Sequence, residues 1–191
     1  MPGQDVHVPD ESGDDGRGAL IERIPLTVRR VGCYLACVVF ILVLLPYLAD
    51  RVGRELLPAS WHVEIGWWRI VGVVIFLICL VLYTTSSITL MRHGRGAYIE
   101  FDPPKEFVAI GPFRWCRNPI AACVVGMVLG EAIAFSSTGI ALFFLLGLPL
   151  AQAQVVLLEE PLLEKRFGQT YRDYRARVPR WIPRPPRKEQ P

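Results

Sequence analysis

Two carboxylates stand side by side at Glu159 and Glu160, where a long apolar run gives way to the stretch "PLLEKRFGQTYRDYRARVPRWIP". Upstream, the turn "GPFRWCRNP" sets Arg114, Arg117 and Asn118 directly before another apolar run, Pro119–Phe135. Carboxylates hold cations and arginines hold anions, while Asn hydrogen-bonds but cannot act as a cation or a general base. Adjacent helical positions point about 100° apart, so Glu159 and Glu160 cannot face one target. One is expected to face a cationic ligand and the other the basic loop or water. Acidic residues at a cytoplasmic helix end also oppose the helix dipole, which sets this pair apart. Plainer roles exist for the upstream turn. Positive residues flank membrane helices on the cytoplasmic side, and Asn118 fits an N-cap with Pro119 at the first helical position.

Other reactive side chains are sparse. Cys33, Cys37, Cys79, Cys116 and Cys123 lie in or beside apolar runs with no CxxC pair, and read as small apolar residues. His7, His62 and His93 are scattered, so no metal site is expected. A polar set does occur inside the apolar runs: Thr84, Thr85, Ser86 and Ser87, then Glu131, then Gln152 and Gln154. Helical rise puts Thr84–Ser87 and Gln154 about 5–11 Å, and Glu131 about 18 Å, from the ends of their helices. A carboxylate at that depth is read first as functional, with a packing bond to a neighbouring helix as the alternative.

The elements that must position these residues are membrane spans. The 191-residue chain is 52% hydrophobic, with a mean hydropathy of +0.33. Its apolar residues are gathered into Val31–Ala49, Trp67–Met91, Pro119–Phe135 and Ile140–Leu158, each near the length that crosses a bilayer. The expectation is an all-α integral membrane protein of about four transmembrane helices. The short Ser136–Gly139 link makes the last two a tight hairpin. Arg17, Arg23, Arg29 and Arg30 precede the first run; Arg92, Arg95, Lys105, Arg114 and Arg117 lie between the second and third; a further basic series runs from Lys165 to Lys188. The linkers on the other face hold only Arg51 and Arg54. The positive-inside rule therefore makes a multi-pass protein whose N-terminus, Arg92–Asn118 loop and C-terminus are cytoplasmic. The formal net charge of +3 argues for no nucleic-acid partner. A basic tail beside a bilayer meets anionic headgroups instead.

Residues 1–28 read as a disordered arm, 29–183 as one membrane domain with its site region at 94–183, and 184–191 as a disordered, proline-rich tail. Secretory cleavage, myristoylation and prenylation signals are not expected. Arg92–Asn118 is longer than a simple turn needs. Val108 and Ile110 alternate ahead of the Gly111-Pro112 break, as in a short extended piece. After Glu160, Leu162, Leu163, Phe167, Tyr171 and Tyr174 recur at helical spacing among Lys165, Arg166, Arg172 and Arg175. That pattern makes an amphipathic helix near the membrane surface, broken at Gly168.

The ordered string "GPFRWCRNPIAACVVGMVLGEA … EEPLLEKRFGQTYRDYRARVPRWIP" resembles the isoprenylcysteine carboxyl methyltransferase family of integral membrane enzymes, from about Gly94 to Pro183. The family pattern is a Gly-x-aromatic turn, Arg-His-Pro-x-Tyr-x-Gly, a helical hairpin, then Glu-Glu followed by Phe-Gly-x-x-Tyr. The resemblance implies S-adenosylmethionine at the cytosolic face, between the loop before the hairpin and the segment after it. It assigns cofactor contacts to Lys105, Glu106, Phe107, Val108, Phe113, Asn118, Pro119 and Glu159. Glu159 would pair with the α-ammonium and Phe113 would pack on the adenine or the sulfonium, while Gly111 would permit close backbone approach.

The departures are Asn118 for the family's His, Ala121 for its Tyr, Ala122 for its Gly, and Val155 for an arginine that holds the substrate carboxylate. They leave the cofactor half standing and alter the acceptor half. Residues placed toward the acceptor are Glu131, Gln154, Val155, Tyr171, Arg172 and Arg175, with no catalytic residue assigned. The implied activity is methyl transfer from S-adenosylmethionine to a lipophilic small molecule or lipid within the bilayer. Two alternatives are a membrane NADPH-dependent lipid or sterol reductase of related architecture, and a non-enzymatic relative that has lost acceptor chemistry. Soluble-type cofactor folds are disfavoured, because "GRG" at Gly94–Gly96 lacks a strand–helix context.

Overall fold

The computed structural model describes residues 39–58, 65–94 and 106–185, with Val28, Gly32, Leu35 and Ala36 before them. Residues 1–27 of the expected disordered arm, residues 29 and 30, residues 31, 33, 34, 37 and 38 of the first apolar run, residues 59–64, residues 95–105 with Lys105 among them, and residues 186–191 lie outside the described residues. Those described form helices and turns, with no strand among them. A π-helical turn, Phe40–Leu44, leads into α1, Leu45–Leu56. A 3-10 turn, Gly66–Trp68, opens α2, Arg69–His93. A second, Gly111–Arg114, precedes α3, Pro119–Ala134. Then come α4, Thr138–Gln154, a π-helical turn at Val155–Glu159, and α5, Glu160–Arg177.

Two of these helical stretches are long and apolar enough to cross a membrane, Gly66–His93 and Thr138–Arg177, and α3 is apolar but shorter. Only 22% and 11% of their apolar windows are buried inside the protein, unlike the core helix of a soluble domain. Large side chains such as Ile70, Val81, Leu146 and Leu150 are more than three-fifths exposed.

Small residues set how closely the helices approach, as in membrane packing generally. A Cβ on Gly72 would lie 2.6 Å from the Gly130 carbonyl oxygen, and one on Gly130 would lie 2.8 Å from the Phe76 nitrogen. Further along the same crossing a Cβ on Gly126 would meet Cys79 Sγ at 2.5 Å. At the α1–α4 contact a Cβ on Gly53 would stand 2.6 Å from Gly139 Cα. Phe135–Ser137 link α3 to α4, and the two helices pack together. Ser137 caps α4 by accepting from the Ile140 amide at 3.3 Å, while Ser136 at φ 52° accepts from Arg69 Nε at 2.9 Å.

Three expectations are corrected. The first apolar run does not end its helix at Ala49. Nothing between Asp50 and Leu56 breaks the helix, and Arg54 pairs with Asp50 one turn back at 2.8 Å. The extended piece expected at Val108 and Ile110 narrows to Ile110 and forms no strand. Residues 107–109 have no regular structure, and extended Ile110 opens the 3-10 turn instead. Nor does a helix end at Glu159. The chain stays helical from Thr138 to Arg177, so no free C-terminal carbonyls face the glutamates and the dipole conflict disappears.

Both π-helical turns stand just before a proline. The Leu45 amide bonds back to the Phe40 carbonyl ahead of Pro46, and the Glu160 amide to the Val155 carbonyl ahead of Pro161. Proline has no N–H and its ring crowds the carbonyl four residues back, so the preceding turn widens to accommodate it.

Candidate functional site

The loop before α3 and the chain after α4 meet through one buried cluster. Glu160, 5% exposed, accepts from Arg117 Nη1 at 2.9 Å and from Arg180 Nε and Nη2 at 2.6 and 2.9 Å. Arg180 thus binds the carboxylate with two parallel donors, the geometry that suits a guanidinium best. The bond to Glu160 holds the Arg180 guanidinium above its usual pKa.

The backbone reinforces this join. Arg117 N donates to the Pro179 carbonyl at 2.8 Å, Asn118 N to Arg180 at 3.3 Å, and Arg184 N to Trp115 at 3.0 Å. Cys116 Sγ lies 3.1 Å from the Arg180 carbonyl, and burial pushes its thiol pKa up, so it is a structural rather than a reactive cysteine. Residues 179–184 therefore run along residues 115–118. The tail expected to begin at 184 is held to Trp115 at its first residue.

An aromatic cluster closes the other side. The Phe107 ring lies 5.4 Å from Phe167, 6.3 Å from Tyr171 and 5.1 Å from Tyr174, centre to centre. The Tyr174 hydroxyl donates to the Phe113 carbonyl at 2.6 Å. The helical spacing of α5 thus presents its aromatic residues to the loop. Gly168, at φ 54° and ψ −125°, kinks α5 between Phe167 and Tyr171.

Glu159 differs from its neighbour. Half-buried, it has Gln154 Nε2 on Oε1 at 3.3 Å and takes part in neither arginine bond. Asn118 sits at the N-cap of α3, but its side chain makes no capping bond. Its conformation, φ −121° and ψ 60°, is set by Pro119 after it and by the Arg180 carbonyl on its amide. Arg117 Nε is buried with no hydrogen-bond partner. The clamp therefore places a carboxylate held only by a neutral amide, an unspent amide side chain and an unspent guanidinium N–H on adjoining elements. Gly111, at φ 56°, leaves the nearest neighbour of a would-be Cβ, Thr89, 3.6 Å away. Glycine is needed there for the backbone angle more than for space.

Several expected residues fall elsewhere. Val108 and Phe113 are core, packed with Tyr83, Leu90, Ile120, Cys123 and Met127, so the Phe113 ring does not offer a free stacking face. Its carbonyl and its place in the turn are what it contributes. Glu106 is exposed, with its amide on the Gly94 carbonyl at 3.2 Å. Pro119 is buried as the first residue of α3. Val155 and Tyr171 are 1% and 2% exposed, buried within the protein. Arg172 and Arg175 are both turned to Glu164, at 3.4 and 3.0 Å. Glu131 is not at this site at all, being thirteen positions further along α3. Ser86 and its neighbours Thr84, Thr85 and Thr89 donate back to carbonyls four residues earlier, and Gln152 accepts from Trp181 Nε1 at 2.7 Å. The polar set inside the spans is thus largely engaged in helix and packing bonds.

Arg180 was missed from the sequence, where "VPRWIP" reads only as a basic segment after a helix. The available signal was an unmatched carboxylate, since Glu159 and Glu160 cannot share one partner.

Comparison with known proteins fits this arrangement. Residues 67–170, more than half of the chain, match the model of the phospholipid methyltransferase family. That family is part of the isoprenylcysteine carboxyl methyltransferase-like superfamily, so the motif resemblance pointed to the right superfamily and the match favours methyltransferases over reductases. Its members are membrane proteins, and S-adenosylmethionine is their usual methyl donor. The chain is also 29% identical, over 139 residues, to the nickel-cobalt-cadmium resistance protein NccN of Alcaligenes xylosoxydans xylosoxydans. That similarity covers 63% of this chain and 65% of the relative's length. No solved structure matches. With its second apolar helix, the loop, α3, α4 and the start of α5 all inside the matched region, the chain belongs to the phospholipid methyltransferase family.

Proposed function

We propose that this protein transfers a methyl group from S-adenosylmethionine to a lipophilic acceptor at the cytoplasmic face of a membrane, with the cofactor held between the residue 106–119 loop and the segment from Glu159 to Arg184. The observation that carries this reading is the unequal treatment of the two glutamates. Glu160 is spent on Arg117 and Arg180, which leaves Glu159 with a neutral partner. A half-buried carboxylate without a cation suits an ammonium group. The buried, unpartnered Arg117 Nε suits a carboxylate. The amino-acid end of S-adenosylmethionine carries one of each.

When bound, the cofactor supplies a methyl carbon on a cationic sulfonium. The chain's residues have positioning work to do, because an in-line displacement needs alignment more than proton chemistry. Glu159 would hold the ammonium and Arg117 Nε the carboxylate, while the Asn118 side chain would offer a further hydrogen bond. The Phe107–Phe167–Tyr171–Tyr174 cluster excludes water from one side.

The site faces the cytoplasm in a four-span topology, with α3 and α4 as an antiparallel hairpin. The acceptor enters sideways from the bilayer. Equilibrium binding of labelled S-adenosylmethionine and labelled NADPH to the purified protein tests the reading. Saturable binding of the first alone is expected; binding of the second alone, or of neither, overturns it.

A further inference from the structure

A second site lies at the opposite end of the bundle. A pocket of about 530 Å³ opens between α1, the start of α2, the end of α3 and the start of α4, within the range that holds a small organic ligand. Its walls are mostly apolar, from Leu42, Val43, Pro46, Val73 and Phe76, and Glu131 lines it. Glu131 is 5% exposed, and its Oε2 is buried without a hydrogen-bond partner. A buried polar atom left unpaired is costly unless something meets it.

Among the described residues, none lining the pocket supplies Glu131 with a cation. Asp50, Arg54 and Glu131 are the charged residues lining the pocket, and Arg54 is already committed to Asp50 at 2.8 Å. Glu131 therefore has no cationic partner in the pocket wall, and a protonated amine entering the pocket would supply one. Thirteen positions at 1.5 Å per residue separate Glu131 from Asn118, about 20 Å. A ligand here is beyond reach of a methyl group held at the loop, so this is not the acceptor position.

We propose that this pocket binds a lipophilic amine in its ammonium form, with the nitrogen on Glu131 and the hydrocarbon body against the apolar walls from α1 and α2. A neutral alcohol of the same length would offer Glu131 one hydrogen bond but no charge-assisted one, so it should bind at least tenfold more weakly. This site stands independently of the methyl-transfer reading, since it shares no residue with the clamp.

The test uses the full chain in phosphatidylcholine nanodiscs, a diazirine-bearing dodecylamine, and mass mapping of the labelled peptides. Label is expected on residues 45–56 and 69–93, displaced by unlabelled dodecylamine and not by dodecanol. Glu131→Gln should lower the labelling about tenfold or more, and Glu131→Asp should retain part of it. Val73→Trp, which fills the pocket while leaving Glu131 in place, should block labelling as well. Equal labelling of the wild type and Glu131→Gln, displacement by dodecanol as effective as by dodecylamine, or unchanged labelling in Val73→Trp would each overturn the proposal.

Discussion

Arg117 Nη1 lies 2.9 Å from Glu160 Oε1, with both side chains less than a tenth exposed, and this pair joins the loop before α3 to the helix that continues from α4. Arg180 completes it from the far end of α5. Breaking a buried ion pair by removing one partner leaves the other charge stranded, at a cost of about 3–5 kcal/mol. Glu160→Gln strands two guanidinium groups and should lower the unfolding temperature clearly in detergent. Glu159→Gln removes a carboxylate held only by Gln154 and should leave that temperature nearly unchanged.

Cofactor affinity should show a different contrast. A charge-assisted hydrogen bond contributes about 1.5–3 kcal/mol, which corresponds to about ten- to a hundredfold in affinity. Glu159→Gln is therefore expected to weaken S-adenosylmethionine binding by that factor in a protein of wild-type stability. Calorimetry and thermal unfolding on the same samples separate the two effects. A variant at Glu159 that melts early, or that binds as tightly as the wild type, would show the two glutamates to be a single structural unit.

Helix packing gives a third expectation. The Gly72–Gly130 contact leaves no room for a side chain on either helix, because the nearest atoms are backbone. Gly130→Leu must push α2 and α3 apart, with the cost of about 1–3 kcal/mol typical of overpacking or more. Gly147, which has nothing within 4 Å of a would-be Cβ, is the control, and Gly147→Ala should be neutral or slightly stabilising in its helix. Similar melting temperatures for the two variants would mean that the α2–α3 approach is looser than described.

Much of the fold was legible because apolar runs and helix breakers are local signals. The turn at Gly111-Pro112, the start of α3 at Pro119 and the kink at Gly168 all follow from residues whose backbone limits are their own. The far end of α1 was not legible, because composition changes at Asp50 while helix-forming ability does not. The two widened turns before Pro46 and Pro161 depend on how a helix absorbs a missing N–H, a choice that tertiary packing makes. Of the site, the distinctness of Glu159 and Glu160 followed from helical geometry. Their assignment to partners did not, because Arg180 reaches Glu160 only through the path of residues 178–182. Aromatic residues were equally ambiguous: Phe113 and Tyr171 read as ligand contacts by motif, yet their burial makes them core.

Orientation is expected to follow the basic residues. With the termini and the Arg92–Asn118 loop cytoplasmic, reporter fusions after Gly139 and after Pro191 should give opposite signals. Matching signals would place the two halves of the clamp on different sides of the membrane, which the Arg117–Glu160 pair forbids.

The acceptor is expected not to be a prenylcysteine carboxylate. Val155 occupies the position one helical turn before Glu159 where the resembled enzymes carry an arginine, and at 1% exposure it offers an acceptor neither a donor nor open surface. The nearby cations on α5 are otherwise engaged, Arg172 and Arg175 both on Glu164. These exposed pairs are weak, about 0–1 kcal/mol, so either arginine can leave Glu164 at little cost, and both must be removed to test the point. Without a guanidinium partner a farnesylcysteine carboxylate loses about 1.5–3 kcal/mol of positioning energy, and its burial unpaired costs more. Labelled S-adenosylmethionine offered with farnesylcysteine and with a panel of lipophilic amines, phenols and thiols should show transfer to the neutral-ended panel, at least tenfold above transfer to the acid. If the acid is turned over as fast in an Arg172→Ala, Arg175→Ala double variant as in the wild type, carboxylate acceptors need no cation here and Val155 does not set the specificity.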